Sequence, residues 1–160
     1  MKSPQAALDA IDRKILAALE TDGRMSIVDL ATRVGLSATP CQRRVKRLEA
    51  EGVIQGYTAH IDPRVAGKAL QAFVLVNLAD HAEETVAAFE SAVRERPEVA
   101  AAYAVSGEYD YLLHVMVEDL DAFSAFSLRA LLRMPGVRDT RSSLVMGLLK
   151  SMTKIGIAHV

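Results

Sequence analysis

The chain has 160 residues, about half of them hydrophobic, which suits one ordinary domain or two small ones and excludes a disordered protein. Its net charge of −1 gives no argument for nucleic-acid binding, although residues 1–60 are slightly basic and residues 61–160 slightly acidic. A single cysteine excludes an intrachain disulfide, and no apolar run is long enough for a signal core or a membrane span, so we expect a cytoplasmic protein without a membrane partner.

Two helices are predicted before residue 36. The first begins near Asp9, a suitable N-cap, and ends at Asp22-Gly23. Its apolar stripe recurs at helical spacing and consists of Leu8, Ile11, Ile15 and Leu19. The second begins at Ser26, because Ser26-Ile27-Val28-Asp29 has the pattern of a capping box, and Gly35 is placed to end it in the left-handed conformation. Its predicted buried face is Leu30, Ala31 and Val34.

A third predicted helix, over residues 36–52, has one apolar stripe and one basic face. Ser37 is its predicted N-cap, Pro40 lies in the first turn, where a missing amide hydrogen costs little, and Gly52 ends it. The apolar stripe is Cys41, Val45 and Leu48. Four cations fall within five positions, namely Arg43, Arg44, Lys46 and Arg47.

The basic face has two interpretations. Charge runs on helices are most often solvated surfaces. The capped helix and the Gly35 turn in front of it instead favour a helix-turn-helix, whose second helix enters the major groove of double-stranded DNA. On that interpretation Gln and Arg side chains contact base edges while other cations hold phosphates. The predicted DNA contacts are Ser37, Thr39, Pro40, Gln42, Arg43, Arg44, Lys46 and Arg47.

The second half of the chain changes its hydrophobic period. Residues 53–61 are predicted to be extended, as a small wing or a linker, and the turn signal Asp62-Pro63 marks the end of the first domain. We therefore assign residues 1–61 to a DNA-binding domain and residues 62–160 to a second domain. That domain has a strand at 70–79, a helix at 82–96, a hairpin of strands 98–106 and 109–117, a helix at 119–134 and a strand at 137–149.

The order β-α-β-β-α-β is typical of a ferredoxin-like domain, so the predicted fold class is α+β. The predicted apolar faces of its two helices are Ala82, Val86, Phe89 and Val93, and Leu120, Phe123, Ser127, Leu131 and Met134. The first and third strands are apolar on both sides, and helices cover only one, so we expect a homodimer with packed sheets. Leu128 and Leu132 lie off the helical stripe and are candidates for a further subunit contact.

The sequence contains no convincing catalytic set, metal-ligand spacing or cofactor motif, and its histidines are scattered. Two polar clusters remain as candidate binding sites. In residues 106–111 a glycine turn exposes amides suited to a carboxylate, and Asp110 suits an ammonium group, although an ordinary β-turn explains the same pattern. Residues 139–143 place hydroxyl groups at the start of the last strand, either lining a pocket or as ordinary edge-strand residues.

The chain resembles the Lrp/AsnC family of prokaryotic transcription factors, and more closely the leucine-responsive branch. The resemblance covers nearly the whole chain. The segments that carry it are Ile11–Leu16, Val34–Ser37, Thr39–Cys41, Arg43–Val45, Arg47–Glu49, Gly52, Ile54, Gly56–Ala59, Val105–Leu113, Pro135–Val137 and Asp139–Arg141.

The resemblance implies a winged helix-turn-helix followed by a ferredoxin-like amino-acid-sensing domain, with dimers assembled into an octamer of four dimers. It implies effector sites between dimers, formed by Gly107, Glu108, Tyr109, Asp110, Thr140, Ser142 and Ser143. We expect leucine, methionine or another branched or hydrophobic amino acid as effector. The alternatives are an amino-acid-sensing regulatory subunit of an enzyme and a small ferredoxin-like enzyme.

Overall fold

The computed structural model describes residues 8–150. The described chain divides into two compact units, one ending at His60 and the other spanning Ile61–Leu148. The outer ends of the two predicted domains, residues 1–7 and 151–160, lie outside the described residues. No helix within residues 8–150 is long and apolar enough to cross a membrane.

The first unit contains the three predicted helices, α1 (Ala10–Thr21), α2 (Ile27–Val34) and α3 (Ala38–Ala50). Their common core is formed by residues of all three, including Ile15, Leu30, Cys41 and Leu48, each with no solvent-exposed surface. The predicted apolar faces of α2 and α3 are confirmed in full. On α1, Leu8, Ile11 and Leu19 are only partly buried.

The ends of these helices follow the predicted chemistry with two differences. Gly35 ends α2 in the left-handed conformation, with φ of 78°. At the start of α2, Ser26 Oγ accepts a hydrogen bond from the backbone amide of Asp29 at 3.1 Å, as a capping box requires. The carboxylate of Asp29, however, accepts from the Ser26 hydroxyl at 2.6 Å and not from the backbone amide of Ser26, so the predicted capping box is wrong. Ser37 occupies the N-cap of α3 without a side-chain capping bond.

Residues 53–61 form no strand, so of the two predicted forms, a small wing or a linker, this part of the described chain has that of an irregular linker. A turn follows α3, and the backbone amides of Val53 and Ile54 donate to the carbonyl of Leu48 at 2.9 and 3.0 Å. The predicted turn at Asp62-Pro63 is confirmed, since the carboxylate of Asp62 accepts from the amide of Arg64 at 2.9 Å. Between α3 and the second unit the chain is irregular.

The second unit is an antiparallel four-stranded sheet with the order β2-β3-β1-β4 and helices on one side. This confirms the predicted βαββαβ succession. Its elements are β1 (Leu70–Leu78), α4 (Glu83–Arg94), β2 (Val99–Ala104), β3 (Tyr111–Val117), α5 (Leu120–Ala125) and β4 (Val137–Leu144). The strands of the hairpin and the last strand are shorter than predicted, because the turn and the segment after Leu144 leave the sheet.

The last helix is not regular. A π-helical segment, Phe126–Ala130, and a short 3₁₀ turn, Leu131–Arg133, follow α5. Phe126, the first residue of the π-helical segment, is buried although it lies outside the predicted stripe, and Leu120, the first residue of α5, was predicted to be buried but is 56% exposed. A stripe based on uniform helical spacing was therefore wrong at this end of the helix.

The two faces of the sheet have different surroundings. Alternate residues of β1 and β3, such as Val74 and Leu113, are fully buried under the helices. On the other face Phe73 and Tyr103 remain 41% and 46% exposed. The ring of His114 stacks on Phe73 there with centroids 4.8 Å apart, which places this histidine on the sheet surface as predicted.

Candidate nucleic-acid interface and effector region

The helices α2 and α3 form a helix-turn-helix with a three-residue connection, residues 35–37. Leu36 donates its amide to the carbonyl of Ala31 at 2.9 Å, which fixes the course of the turn. Packing of Leu30 and Val34 against the apolar stripe of α3 then directs the opposite face of α3 to solvent. Five of the eight predicted DNA contacts are exposed there without a side-chain hydrogen bond or ion pair within residues 8–150: Ser37, Thr39, Gln42, Arg43 and Lys46.

The other two arginines of the basic run point to α1 instead. Asp12 has a side chain that is 1% exposed, and its two carboxylate oxygens accept from Arg44 Nη1 at 2.9 Å and Arg47 Nη2 at 2.6 Å. Arg44 also donates to Asp9 at 2.6 Å. Each carboxylate oxygen of Asp12 thus has a guanidinium partner, and its buried charge is compensated. Because removing either arginine would leave part of that buried charge without a partner, the cluster has a structural role. Arg44 and Arg47 thus hold α3 to α1.

The cluster of Asp12, Arg44 and Arg47 was predictable from the positions of these residues on their helices, although the sequence analysis missed it. Asp12 lies one helical turn before Ile15 and Leu16, and Arg44 lies between Cys41 and Leu48 on the buried side of α3. Charged residues are rarely buried unless they are paired with an opposite charge. An acid on the buried side of α1 and an arginine on the buried side of α3 therefore predict an ion pair between the two helices. The eighth predicted contact, Pro40, is half-buried in the first turn of α3.

Asp9 both caps α1 and binds α3. The amide of Asp12 donates to its carboxylate at 2.8 Å, and the Asp9 amide donates to Asp12 in return at 3.2 Å. The hydrogen bond from the Asp12 amide, followed by that from Arg44, holds the pKa of the Asp9 carboxyl below its usual value. The hydrogen bonds of Arg44 to the carboxylates of Asp9 and Asp12 raise the pKa of its guanidinium group. Both groups are therefore fully charged at neutral pH.

Cys41 lies in this core and its thiol is not activated. Its side chain has no exposed surface, and burial raises its pKa. Within residues 8–150 no group of three or more His, Cys, Asp and Glu side chains is placed to hold a metal ion. The exposed basic face of α3, with Arg43 and Lys46, is the part of this unit that is suited to contact with a polyanion.

The predicted effector loop connects β2 to β3. Gly107 has φ of 128°, a conformation that side chains rarely adopt, and no atom lies within 4 Å of a Cβ built on it. The amide of Val105 donates to the carbonyl of Asp110 at 2.9 Å, and the amide of Asp110 donates to Val76 at 3.0 Å. Gly107 and Glu108 are exposed, and Tyr109 is half-buried. The loop is thus anchored at its base and open at its tip.

Asp110 is already engaged by the protein itself. One carboxylate oxygen accepts from the amide of Leu78 at 2.8 Å, and the other lies 2.7 Å from His81 Nε2. The hydrogen bond with His81, then that with Leu78, lowers the pKa of Asp110. The carboxylate is therefore ionised at neutral pH and also pins the end of β1, a role that sequence reasoning missed.

The predicted residues of β4 do not share one face. Thr140 and Ser142 stand opposite Val76 and Val74, on the helix side of the sheet, whereas Ser143 stands opposite Phe73 on the open side. Val76 pairs with Tyr111 on its other flank, which brings Thr140 to the same end of the sheet as the loop before β3. Within one chain, only Thr140 of the three hydroxyl residues lies at that end.

Comparison with models of known protein families identifies the family of this chain. The Lrp/AsnC ligand binding domain model matches residues 71–155, and the winged helix-turn-helix DNA-binding model matches residues 8–55. The chain belongs to the Lrp/AsnC family. The first match covers the sheet and both of its helices, and the second covers α1 to α3. The predicted family and fold class are therefore confirmed.

Named relatives are similar over nearly their whole length. The leucine-responsive regulatory protein of Klebsiella pneumoniae is 45% identical over 156 residues, 98% of this chain and 95% of the relative. That of Escherichia coli K12 is 44% identical with the same coverage. A transcriptional regulator of Neisseria meningitidis, solved with L-methionine, is 41% identical with a TM-score of 0.90, over 95% of this chain and 98% of that one. A feast or famine regulatory protein of Mycobacterium tuberculosis, also with L-methionine, is 37% identical with a TM-score of 0.83, over 94% and 99%.

Proposed function

We propose that this Lrp/AsnC protein binds specific double-stranded DNA through the exposed face of α3 and that a hydrophobic amino acid modulates this binding. The observation that carries the proposal is the division of the basic run. Arg43 and Lys46 are exposed and lack ion-pair partners within the described residues, beside Gln42, while Arg44 and Arg47 are bound to α1. An exposed set of this composition can contact both base edges and phosphates.

The effector is proposed to bind at the end of the sheet formed by the 107–110 loop and the start of β4. L-methionine complexes of two relatives support a hydrophobic amino acid, with leucine and methionine preferred. Glu108 is exposed and the loop tip is open, so a second copy of the chain is needed to enclose a ligand there. Ser142 and Ser143, on opposite faces of an edge strand, can then serve contacts to different subunits.

The assembly proposed is a homodimer through the open sheet face, with four dimers forming an octamer. The partly exposed Phe73 and Tyr103 on that face support it, since apolar surface of this kind is usually covered. Two recognition helices in a dimer reach half-sites about one helical turn apart, roughly 34 Å. Such a protein works where the DNA is, in the cytoplasm of a prokaryotic cell.

The experiment that tests the proposal is a fluorescence-anisotropy titration of a duplex from the upstream region of the protein's own gene. We expect tight binding with a steep dependence on salt, because phosphate contacts release counterions, and a clear preference over a shuffled duplex. Equal affinity for both duplexes would contradict a sequence-specific regulator. Absence of binding would instead favour a regulatory subunit that uses the first domain to dock on a protein.

A further inference from the structure

A second candidate ligand site lies at the other end of the sheet. There a cleft of about 470 Å³ opens between the beginning of β1, the beginning of β2 and the π-helical segment. Leu70 pairs with Val117 at this end, whereas the loop before β3 meets β1 at Val76. The cleft is therefore separated from the proposed effector region by the length of the strands. Its volume is within the usual range for small-molecule sites, roughly 300–1,000 Å³.

The cleft is lined by charges that do not neutralise one another. Lys68 and Arg129 bring two positive groups, and Glu98 and Glu118 bring two negative ones. Within residues 8–150 none of these four side chains forms an ion pair or a side-chain hydrogen bond. Elsewhere in this unit, by contrast, Glu90 is paired with Arg94 at 2.8 Å. Charges of both signs are thus available to a ligand in one place.

Glu98 gives the strongest indication. Its Oε2 atom is buried and has no hydrogen-bond partner, the only such side-chain atom among the described residues. The backbone next to it is anchored, since the carbonyl of Glu98 accepts from the amide of Met116 at 2.8 Å. A buried carboxylate oxygen without a donor is costly, and native structures rarely keep one unless another group supplies the donor. A ligand with an N–H group in the cleft would supply it.

The irregular helix forms the apolar wall. Phe126, buried at the start of the π-helical segment, lines the cleft together with Val117, and Arg129 of the same segment is also among its lining residues. Single π-helical turns are found frequently at functional sites, because they redirect side chains at a cost in helix geometry. The cleft therefore combines an apolar surface with one buried acceptor and nearby cations.

We propose that this cleft binds a free α-amino acid with a hydrophobic side chain. Its ammonium group would donate to Glu98, its carboxylate would face Arg129 and Lys68, and its side chain would pack on the apolar lining, where Ala122 and Ala125 are accessible beside Val117 and Phe126. A divalent cation fits less well, because two basic side chains share the cleft. This site is additional to the effector region at the 107–110 loop and does not rest on it.

The test is calorimetric titration of the full-length chain with L-methionine, together with methyl NMR spectra that follow Val117. Glu98→Gln keeps the shape of the side chain and removes its charge. We expect it to weaken binding at the cleft at least about tenfold, since a hydrogen bond to a charged group is lost. Glu84→Gln, an exposed position on α4, is the matched control and should bind as the wild type does.

Two further measurements, of analogue binding and of thermal unfolding, test the ligand class and the role of Glu98. Methionine analogues that lack the carboxylate or the ammonium group should each bind more weakly than L-methionine. The ligand-free Glu98→Gln protein should melt at the same temperature as the wild type or higher, because a buried unpartnered charge is removed. A lower melting temperature together with an unchanged methionine titration of the Val117 signals would mean that Glu98 has a structural role only, and would overturn the proposal.

The proposal is also overturned if L-methionine leaves the Val117 methyl signals unmoved, or if these signals shift in Glu98→Gln at the same methionine concentration as in the wild type. The Asp110→Asn variant separates this site from the proposed effector region. If it abolishes the effect of methionine on DNA binding while the Val117 shifts persist, both sites are supported. If the DNA response survives in Asp110→Asn, the proposed effector region is wrong, whatever the result at the cleft.

Discussion

At the scale of single residues, α3 sorts its cations by partner. Asp12 is a fully buried acid that holds Arg44 and Arg47, and Arg43 and Lys46 are left to solvent. The four cations are neighbours in sequence, but their different environments predict different effects of mutation. Arginines bound to the core stabilise the domain, whereas exposed ones affect only what binds to the surface.

Arg43→Ala should weaken binding to the upstream duplex by about 1–3 kcal/mol if Arg43 makes a base contact, without a change in melting temperature. Arg44→Ala should instead lower the melting temperature, because Asp12 and Asp9 lose a guanidinium partner. Anisotropy titrations and thermal unfolding of both variants check the pair. Wild-type DNA affinity in Arg43→Ala would refute the assignment of the recognition face.

Asp110 combines a structural contact with a proposed effector contact, and two substitutions separate them. Asp110→Asn retains an oxygen that can accept from the Leu78 amide but loses the charge. We expect it to keep the fold and DNA binding while losing the amino-acid response. Asp110→Ala leaves the Leu78 amide without an acceptor, so its free energy of unfolding should be about 1–3 kcal/mol below that of Asp110→Asn. Unchanged effector affinity in Asp110→Asn, measured by calorimetry, is the result that would refute the proposed role.

At the scale of elements, the irregular segment after α3 is held by a tyrosine. The hydroxyl of Tyr57 donates to Glu49 at 2.9 Å, and its ring lies 3.4 Å from the Cβ position of Gly23. The segment therefore contacts both α3 and the turn between α1 and α2, although it forms no strand. Tyr57 thus attaches this segment to the first unit, which extends to His60.

The Tyr57 contact gives a prediction in alkali. Desolvation, with the hydrogen bond to Glu49, raises the pKa of Tyr57 to about 12. Since the folded-state pKa is above the unfolded value of about 10, its contribution to stability is intact below pH 10 and is lost as the pH rises through about 12. An absorbance titration should contain a late phenolate transition that Tyr57→Phe removes. A variant spectrum identical to wild type near pH 12 would exclude the contact.

Much of the fold was predictable, because capping residues, glycines and apolar spacing are local signals. Asp9, Ser26 and Gly35 fix the helix-turn-helix, and the succession of apolar runs, turn residues and helical spacing gave the βαββαβ order of the second unit. The π-helical turn was not predictable, since spacing arguments assume one helical period and Phe126 becomes buried only through the wide turn. The candidate effector residues were predicted by resemblance, but register alone decides that Ser142 and Ser143 face opposite sides.

At the scale of the whole molecule, the sheet surface determines the proposed assembly. Phe73 on the open face and Leu128 on the helix side are both exposed, and they belong to different proposed contacts. The stacked His114 lies beside Phe73, and burial lowers its pKa, so this part of the face is neutral at physiological pH. A neutral apolar face is suited to a subunit interface.

Substitution on the two surfaces should give different assemblies. Phe73→Asp puts a charge in the proposed dimer interface and should produce monomers, whereas Leu128→Asp should stop assembly at dimers. Light scattering coupled to size-exclusion chromatography measures both masses, with Val65→Asp, an exposed turn position, as the control. Dimers that persist in Phe73→Asp would show that the sheets are not the interface.

Amino-acid control of DNA binding is the central claim, and linkage requires it to act through different affinities for two states of the protein. The most direct measurement is the anisotropy titration of the upstream duplex with and without saturating L-leucine or L-methionine. We predict a change in apparent affinity of about 5- to 150-fold with at least one of them in the wild type, and none in Asp110→Asn. Identical binding curves for the wild type with and without each amino acid would contradict the account.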